Sequence, residues 1–396
     1  MKPSIVFNRL SKCWKQRKCG DVFTESREFG HSGDVAKKLT VKLWGKGVYA
    51  KLDQGSANTH YFIRHTGQFI YSKLDFLNSA FGVVNEALDG YESTADMPAF
   101  DCHGVNPYFM YYRAIQPSFY ITNGMIADGS RKAKRVHAET FLQMPLMLPS
   151  IEEQDKIAWF FRKLEDTITI HQRKINSMKR LKKSLLQKMF PQNGECVPEI
   201  RFSGFTDSWE QRKLSGMATF SKGSGYSKAD LKTSGKPIIL YGRMYTKYET
   251  IIRNVDTFAE EKAGSVYSES GDVIVPASGE TAQDISRASV VANSGILLGG
   301  DINIIHPNNE LNPGFLALTI SNGNQQKKLS MKAQGATIVH LHNEDLKGVD
   351  ILCPSIDEQT LISEFFERID NTITLHQRKA LQLQKIKQAL LQHMFI

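Results

Sequence analysis

The chain has 396 residues, of which 41% are hydrophobic, and its formal net charge is +9. This length allows two domains of ordinary size, and the positive charge favours an anionic partner such as nucleic acid. The five scattered cysteines argue against a disulfide framework and a zinc site. No apolar run approaches the roughly 20 residues of a membrane span. Together these features predict a cytoplasmic protein that does not contact a membrane.

The start of the chain recurs in its second half. Seven residues return at an offset of 195 positions: Pro3, Ile5, Phe7, Trp14, Gln16, Arg17 and Lys18 correspond to Pro198, Ile200, Phe202, Trp209, Gln211, Arg212 and Lys213. This recurrence indicates that the chain consists of two halves with a similar plan.

Residues 1–148 are predicted to form a first mixed α/β domain. Turn-forming residues separate short apolar runs, and residues 69–71 after Gly67 have the pattern of a strand, as do residues 273–275 after Gly271 in the second half. Aromatic, polar and basic residues that suit contact with DNA are interleaved in this domain, namely Tyr71, Lys73, Asn78, Arg131, Lys132, Lys134 and Arg135.

The segment Asn106-Pro107-Tyr108-Phe109 is similar to the loop with which amino-methyltransferases hold a flipped adenine. The repeat argues against this role, because the corresponding segment of the second half has Gly314 in place of the first aromatic residue. We therefore interpret both segments as helix starts, with asparagine as the N-cap and proline in the first turn.

Residues 149–190 and 354–395 are the same segment written twice, with 21 identical residues in 42 positions. Each copy opens on Pro-Ser with a glutamate three residues after the serine, which is typical of a capped helix start. In the first copy no Gly or Pro follows before Pro191. The pattern predicts two helices of about 40 residues, each a rod of roughly 60 Å.

Apolar residues at steps of three and four give each long helix one narrow apolar stripe, so we expect the two helices to pair as an antiparallel coiled coil. The expected interface residues are Phe161, Leu164, Ile168, His171 and Ile175 with Phe366, Ile369, Ile373, His376 and Leu383, and Leu181 and Ile386 continue the two stripes. The two histidines hold the same position in the repeat. A pair that fixes the helix register is the favoured interpretation, and a metal site or a pH-sensitive switch is the alternative.

The second half of the first long helix is rich in basic residues and contains no acidic residue. These basic residues are Arg173, Lys174, Lys179, Arg180, Lys182, Lys183 and Lys188. They form either a surface that faces DNA or a partner, or an ordinary solvated helix end.

Residues 191–353 are predicted to form a second mixed domain, which opens on a linker at 191–208, and residues 354–396 the second long helix. Candidate DNA contacts in this domain are Lys222, Ser224, Tyr226, Lys228, Arg243, Ser278 and Thr281. The chain lacks a phosphate-binding G-x-x-x-x-G-K-[ST] sequence, a cofactor-binding glycine turn and a recognisable nucleophile signature. We therefore predict a non-catalytic chain with no cofactor or metal of its own.

Several of these segments resemble the DNA-specificity subunit of type I restriction-modification systems, and the resemblance covers essentially the whole chain. The most specific segments are the P-S-x-x-E-Q helix starts at 149–154 and 354–359, residues 198–205, and residues 335–341. The resemblance implies an α+β fold with a pseudo-twofold internal repeat, in which two target-recognition domains are separated by the two paired helices. Each domain would read one half of an asymmetric double-stranded DNA site.

The resemblance also implies the partners. The paired helices would act as a spacer and as a docking surface for two methyltransferase subunits that methylate adenine, and restriction subunits would join them. S-adenosylmethionine, ATP and magnesium would be bound by those partners. One rival hypothesis is a self-contained methyltransferase or nuclease, which predicts cofactor binding by the isolated chain. The other is a coiled-coil scaffold, which predicts no sequence-specific DNA binding.

Overall fold

The computed structural model describes residues 14–53, 55–125, 135–192, 194–332 and 339–395. The chain forms two compact units, which we call unit 1 (residues 1–170 and 379–396) and unit 2 (residues 171–378). Each unit contains one mixed α/β domain and a segment of each long helix. In the described part of the chain, no helix combines the length and the apolar character of a membrane span.

The described part of the domain of unit 1 is built from short strands and three short α-helices. Its strands are β1 Lys15–Lys18, β2 Phe23–Ser26, β3 Phe29–Ser32, β4 Leu39–Lys42, β5 Gly47–Ala50, β6 His60–Arg64, β7 Phe69–Tyr71, β8 Phe81–Val83, β9 Tyr91–Ser93, β10 Ala99–Cys102 and β11 Pro145–Leu148. Its helices are α1 Pro107–Ala114, α2 Pro117–Gly124 and α3 Ala138–Leu142, and α4 Ile151–Lys188 is the first long helix. The sheets have the orders β2-β10-β7-β8, β3-β6-β9 and β4-β5. Phe69, Phe100 and Phe141 are fully buried and form the centre of an aromatic core.

The domain of unit 2 has a larger central sheet. Its strands are β12 Glu210–Lys213, β13 Ala218–Lys222, β14 Leu231–Lys232, β15 Lys236–Ile239, β16 Ile251–Ile252, β17 Phe258–Ala259, β18 Asp272–Pro276, β19 Ser278–Gly279, β20 Ser289–Val291, β21 Leu297–Leu298, β22 Ile302–Pro307, β23 Val339–His340 and β24 Asp350–Cys353. Its helices are α5 Arg243–Thr246, α6 Ala282–Ile285, α7 Pro313–Ser321, α8 Gly323–Lys332 and α9 Asn343–Lys347, and α10 Ile356–Met394 is the second long helix. The main sheets have the orders β13-β22-β18-β20-β16 and β14-β17-β15-β21, and β19 pairs with β23.

The predicted strands after the two turn glycines are present as β7 and β18, and both are buried throughout. Gly67 and Gly271 adopt φ values of +88° and +97°, in the left-handed region that a side chain disfavours. The same turn therefore precedes the same buried strand in both halves.

The repeated segments at the two ends of each half pair with each other. β1 pairs antiparallel with β11, from Lys15 opposite Leu148, and β12 pairs in the same way with β24, from Glu210 opposite Cys353. β11 and β24 lead directly into α4 and α10. The recurring segments 14–18 and 209–213 thus contain strands that fix where the long helices start.

The Asn-Pro segments are helix starts, as predicted. The Asn106 side chain accepts hydrogen bonds from the amides of Tyr108 and Phe109 at 2.9 and 3.1 Å, and the Asn312 side chain accepts one from Phe315 at 3.1 Å. In both halves the glutamine of the P-S-x-x-E-Q start binds this turn. The side-chain oxygens of Gln154 and Gln359 each accept from the asparagine amide at 2.9 Å.

Each unit contains an aromatic cluster that combines residues from both halves of the repeat. In unit 1 the cluster consists of Trp14, Phe109, Phe161 and Phe395, and in unit 2 of Trp209, Phe315, Phe366 and Phe190. Phe395 follows α10 and lies 5.4 Å from Phe109 between ring centroids, and Phe190 follows the end of α4 and lies 5.7 Å from Phe315. The end of each long helix is therefore part of the core next to the start of the other.

A buried ion pair connects two of the most specific sequence segments. Arg201 donates two hydrogen bonds of 2.7 Å to the two carboxylate oxygens of Glu358. The side chains of Arg201 and Glu358 are only 12% and 1% exposed. Ser355 caps the helix by accepting from the Glu358 amide at 3.4 Å, as the start signal predicts. In the other half, the Glu153 carboxylate accepts from the Trp14 indole at 3.3 Å.

Candidate nucleic-acid interface and its helical stem

Helices α4 and α10 pair to form what we call the stem (residues 151–188 and 356–394). In unit 1, Ile157 and Phe161 share a core with Leu391 and Met394. In unit 2, Ile175 shares a core with residues of the opposite helix, namely Phe366, Ile369 and Ile373. Ile168 is 7% exposed, and Leu164 and Leu383 are half-buried. His171 of α4 contacts His376 of α10, and the later residue Lys182 contacts the earlier residue Asp370. The two helices therefore run antiparallel.

The two repeated histidines contact each other. The Nδ1 atoms of His171 and His376 lie 2.8 Å apart, so one ring donates a hydrogen bond and the other accepts it. Because this hydrogen bond joins the same position of both helices, it defines one register of the stem. Among the described residues, no group of three or more His, Cys, Asp or Glu side chains could hold a metal ion.

Two equivalent ion pairs cross the stem, and sequence reasoning missed both. Lys182 Nζ lies 2.6 and 2.7 Å from the two carboxylate oxygens of Asp370, and Lys387 Nζ binds one carboxylate oxygen of Glu165. In each unit a hydroxyl group from the domain donates to the same carboxylate, from Thr250 at 3.0 Å and from Tyr112 at 2.8 Å. The available signal was that both the acid and the lysine recur at the repeat offset.

The predicted stripe is wrong at Leu181 and Ile386. These side chains are 51% and 40% exposed, whereas Lys182 and Lys387 are half-buried between the helices. The spacing explains the difference, because steps of three and four from Ile175 and Met178 lead to position 182. Heptad geometry places the lysine inside, and its ion pair compensates for the burial of its charge.

In unit 1 the structure brings Lys73 and Arg135 together, because the Val136 amide donates to the Lys73 carbonyl at 3.0 Å. Both side chains are partly exposed, and Arg135 lies 3.7 Å from Asp96. Asn78 is also partly exposed and donates to Asp75 at 3.3 Å. The remaining basic candidates, Arg131, Lys132 and Lys134, lie outside the described residues.

In unit 2 several candidates meet at one edge of the five-stranded sheet. β22 runs antiparallel to β13 and β18, so the ends of those two strands lie beside the start of β22. We call the loops at this edge, residues 222–225, 277–281, 301–303 and 339–342, the recognition edge. It includes the candidates Lys222, Ser224, Ser278 and Thr281.

The exposed side chains of the recognition edge differ in chemistry. Lys222, Thr281, His340 and His342 are exposed, and the two imidazole rings are parallel with centroids 6.2 Å apart. Ser278 is buried beneath them, with its hydroxyl 3.2 Å from Nδ1 of His340. A lysine suits phosphate, whereas hydroxyl and imidazole groups donate and accept hydrogen bonds at base edges.

Tyr245 supports this edge from below. Its hydroxyl donates to the Ser278 carbonyl at 2.6 Å. Burial raises the pKa of Tyr245, so the phenol keeps its proton and remains a donor.

Three aromatic or basic candidates require correction because they are buried. Tyr71 is 0% exposed and donates to the Val136 carbonyl at 3.1 Å, and Tyr226 is 5% exposed. Arg243 is 9% exposed and binds Asp256 and Glu249 at 2.5 and 2.8 Å. Hydrogen bonds from Lys247 and Arg243 lower the pKa of Asp256 to about 2, so this charge is compensated internally. These side chains stabilise the domains and are not available at the surface.

Lys228 is exposed at the start of a short turn. The nearby Asp230 carboxylate binds Lys262 at 2.6 Å, and this hydrogen bond is the main reason that the pKa of Asp230 is lowered to about 2. The carboxylate is therefore already engaged by another lysine, which leaves the Lys228 ammonium group available to an anion.

Comparison with known proteins gives consistent results. Residues 12–180 and 206–385 match the family model described as the type I restriction modification DNA specificity domain. Over 268 residues the chain is 20% identical to the type I restriction enzyme MjaVIII specificity subunit of Methanocaldococcus jannaschii. That match covers 65% of this chain and 62% of the relative, so the chain spans less than two thirds of that protein.

Solved structures share the fold. The S subunit of a type I restriction-modification system from M. genitalium is 12% identical, with a TM-score of 0.61 and coverage of 97% of this chain and 96% of that chain. A chain described in work on complex assembly and conformational transition of the type I R-M system is 16% identical, with a TM-score of 0.50 and 98% coverage of both. The predicted fold class, two mixed domains with paired long helices, is confirmed.

Proposed function

Because the chain belongs to the type I restriction modification DNA specificity family, we propose that it recognises an asymmetric, bipartite double-stranded DNA site and directs partner subunits to it. It is a specificity subunit, which is the non-catalytic subunit of such a system. The observation that carries the proposal is a repeated framework with unlike middles. Among the residues that the structure describes, the largest sheet has four strands in unit 1 and five in unit 2. Two different readers on one stem suit two unlike half-sites.

Unit 1 reads one half-site in this proposal. Lys73 and Arg135 supply phosphate contacts, and Asn78 is placed to contact a base edge. The basic segment that contains Arg131, Lys132 and Lys134 adds charge next to Arg135 in the sequence. Phosphate contacts supply affinity without sequence information, so the bases read depend on the polar side chains.

Unit 2 reads the other half-site with the recognition edge. Lys222 and Lys228 contact phosphates, and Thr281 contacts bases together with the two exposed imidazoles of His340 and His342. Ser224 and Ser278 act from beneath this surface, because both side chains are partly or fully buried.

The stem sets the separation of the half-sites in this proposal. Helices of 38 and 39 residues are each roughly 57 Å long at about 1.5 Å per residue. The histidine pair and the two crossing ion pairs support a single register. A stem of one register and one length permits one gap between half-sites.

Two methyltransferase subunits dock on the stem in this proposal. Ile170 and Leu375 are 61% and 50% exposed at equivalent positions, and Leu181 and Ile386 are also exposed. The recurrence of exposed large apolar residues at equivalent positions of the two helices fits two copies of one partner. That partner supplies adenine methylation with S-adenosylmethionine, and restriction subunits supply the chemistry that needs ATP and magnesium. The complex works in the cytoplasm, where the free thiols, including Cys19, remain reduced.

A domain exchange tests the proposal. The chain is expressed with its partner subunits, and methylated adenines are located by sequencing the genomic DNA. Replacing residues 15–148 with the corresponding domain of another family member should change one half of the methylated sequence and leave the other half as it was. The matched exchange of residues 210–353 should change the other half.

Either exchange would refute this division of labour if it changed both halves or neither. The rival hypothesis of a self-contained enzyme is tested in parallel with the purified chain alone. It predicts S-adenosylmethionine binding and DNA modification without partners, whereas we expect neither.

A further inference from the structure

Unit 2 contains a groove of about 1230 Å³ between the stem and the second domain. One wall is the basic second half of α4, and the opposite walls are residues 248–254 and 322–331 of the domain. Residues 367–378 of α10 also line the groove. The groove therefore exposes the basic stripe that the sequence singled out.

Cations from three different helices surround this groove. Lys182 and Arg253 are neutralised by Asp370 and Glu367. Four further cations line the groove, namely Lys179, Lys183, Lys327 and Arg378. In the described part of the chain, no carboxylate lies within ion-pair distance of these four side chains. Like charges that surround one groove repel each other and create a local positive potential, so this groove favours an anionic occupant.

The internal repeat shows which of these charges the framework itself requires. Lys182 recurs as Lys387, and both form the same ion pair across the stem. Lys179 and Lys183 instead correspond to Gln384 and Gln388. The framework therefore folds with glutamine at these two positions, and the extra positive charge is specific to the copy in unit 2.

We propose that this groove binds the phosphate backbone of the DNA duplex beside the half-site of unit 2. The inference rests on the proposed function. Two copies of one partner subunit would use charges that recur in both halves, as Arg378 recurs in Arg173, whereas Lys179 and Lys183 do not recur. The DNA site is a single, asymmetric and anionic ligand, so it accounts for a basic surface present in one half only.

The groove lies next to the recognition edge within the same unit. Ser330, which lines the groove, donates to the Ser286 hydroxyl at 3.0 Å. Ser286 directly follows α6, and Thr281 of the recognition edge caps the start of that helix. From Thr281 to Ser286 the chain spans about 7.5 Å at about 1.5 Å per residue, and Ser330 lies 3.0 Å further, so a backbone strand that leaves the edge reaches the groove within about three nucleotides.

The test is the salt dependence of DNA binding by the assembled complex. The variant Lys179→Gln with Lys183→Gln introduces the residues that the other half carries naturally at exposed positions, so we expect it to fold and assemble. Binding to a duplex that carries the methylated site is measured over a range of salt concentrations. Each phosphate contact contributes about 0.9 to the slope of log affinity against log salt, so we expect the slope to decrease by about 2.

The matched control is Arg173→Gln with Lys174→Gln, which removes the same charge from exposed positions of α4 that do not line the groove. We expect its slope to stay within half a contact of the unchanged protein, about 0.5. An unchanged slope in the groove variant, or an equal decrease in both variants, would overturn the inference. Loss of a methyltransferase subunit from the groove variant with an unchanged slope would also overturn it, because the groove would then bind protein.

The methylated sequence is determined for each variant in the same cells. It should remain unchanged, because phosphate contacts carry no sequence information. If the methylated site still has two halves but the slope of the groove variant is unchanged, the groove does not bind DNA and the proposed function still stands. If no sequence-specific methylation depends on this chain, the proposed function itself fails.

Discussion

Replacing Arg201 with methionine should destabilise unit 2, because the substitution leaves a buried carboxylate without its cation. The Glu358 side chain is 1% exposed, and both its oxygens accept from Arg201 at 2.7 Å. Removing one partner of a buried ion pair costs about 3–5 kcal/mol. Arg201 keeps 12% exposure, so water reaches part of the site, and we expect a loss near the lower limit, about 3 kcal/mol.

The double variant Arg201→Met with Glu358→Met separates the stranded charge from the loss of the pair itself. Apolar residues of similar volume often replace a buried ion pair at little cost, so we expect a loss of about 1 kcal/mol or less. Unfolding in urea is followed by hydrogen exchange of peptides from each unit, which makes unit 1 an internal reference.

Arg212→Met is the matched control in the same unit. Arg212 donates to the Glu310 carboxylate at 2.7 Å, but the two side chains are 38% and 58% exposed, so we expect a loss of about 1 kcal/mol or less. The reasoning is refuted if Arg201→Met costs no more than the double variant, because the carboxylate would then tolerate burial alone.

Three further predictions concern the stem, the aromatic clusters and the thiols. Deleting one heptad from both long helices shortens the stem by about 10 Å, so the gap between methylated half-sites should shrink by roughly three base pairs; an unchanged gap would show that the stem is not the ruler. Phe395→Ala should lower the free energy of unfolding of unit 1 by about 3 kcal/mol and leave unit 2 unchanged, whereas Phe190→Ala should destabilise unit 2 and leave unit 1 unchanged. Hydrogen exchange of peptides from each unit measures both effects, and equal effects on the two units would contradict this prediction. Burial raises the pKa of Cys19 and of Cys353 to about 12, so both thiols stay protonated at about pH 8 and iodoacetamide should label the exposed Cys196 first; rapid labelling of Cys353, seen by mass spectrometry, would contradict the burial.

The helices and the stem could be predicted from the sequence because a repeat supplies its own control. Each copy of the long segment has the same capped start and the same apolar stripe. A pattern that occurs in both copies is not a coincidence of one sequence. The asparagine caps were recognised for the same reason, since Gly314 replaces the aromatic residue that a catalytic loop would need. Leu181 is apolar but exposed, because heptad spacing places Lys182 between the helices instead, so apolar character alone predicts the wrong residue there.

The domains were harder to predict because they have no counterpart that constrains them. In the sequence, Tyr71 and Arg243 resemble DNA contacts, since aromatic and basic residues are common on surfaces that bind DNA. Their burial depends on partners far away in the chain, such as Val136 for the tyrosine hydroxyl. Local composition cannot show whether a charge is compensated inside the fold.

The groove was only half visible in the sequence. The basic stripe of α4 was evident, but the other residues that line the groove lie in segments 248–254, 322–331 and 367–378, which are distant in the sequence. What the sequence did contain was the mismatch of Lys179 and Lys183 with Gln384 and Gln388. Without the structure, that mismatch could not be assigned to a surface.

The composition of unit 1 has a consequence for biosynthesis. Unit 2 is one continuous stretch, whereas unit 1 needs residues 379–396 to complete its core with Phe395. The domain that leaves the ribosome first therefore finishes folding second, which reverses the usual order in which domains mature during translation. A product that stops before residue 379 would carry an unsealed aromatic core, and proteases and chaperones would meet it before any partner subunit does.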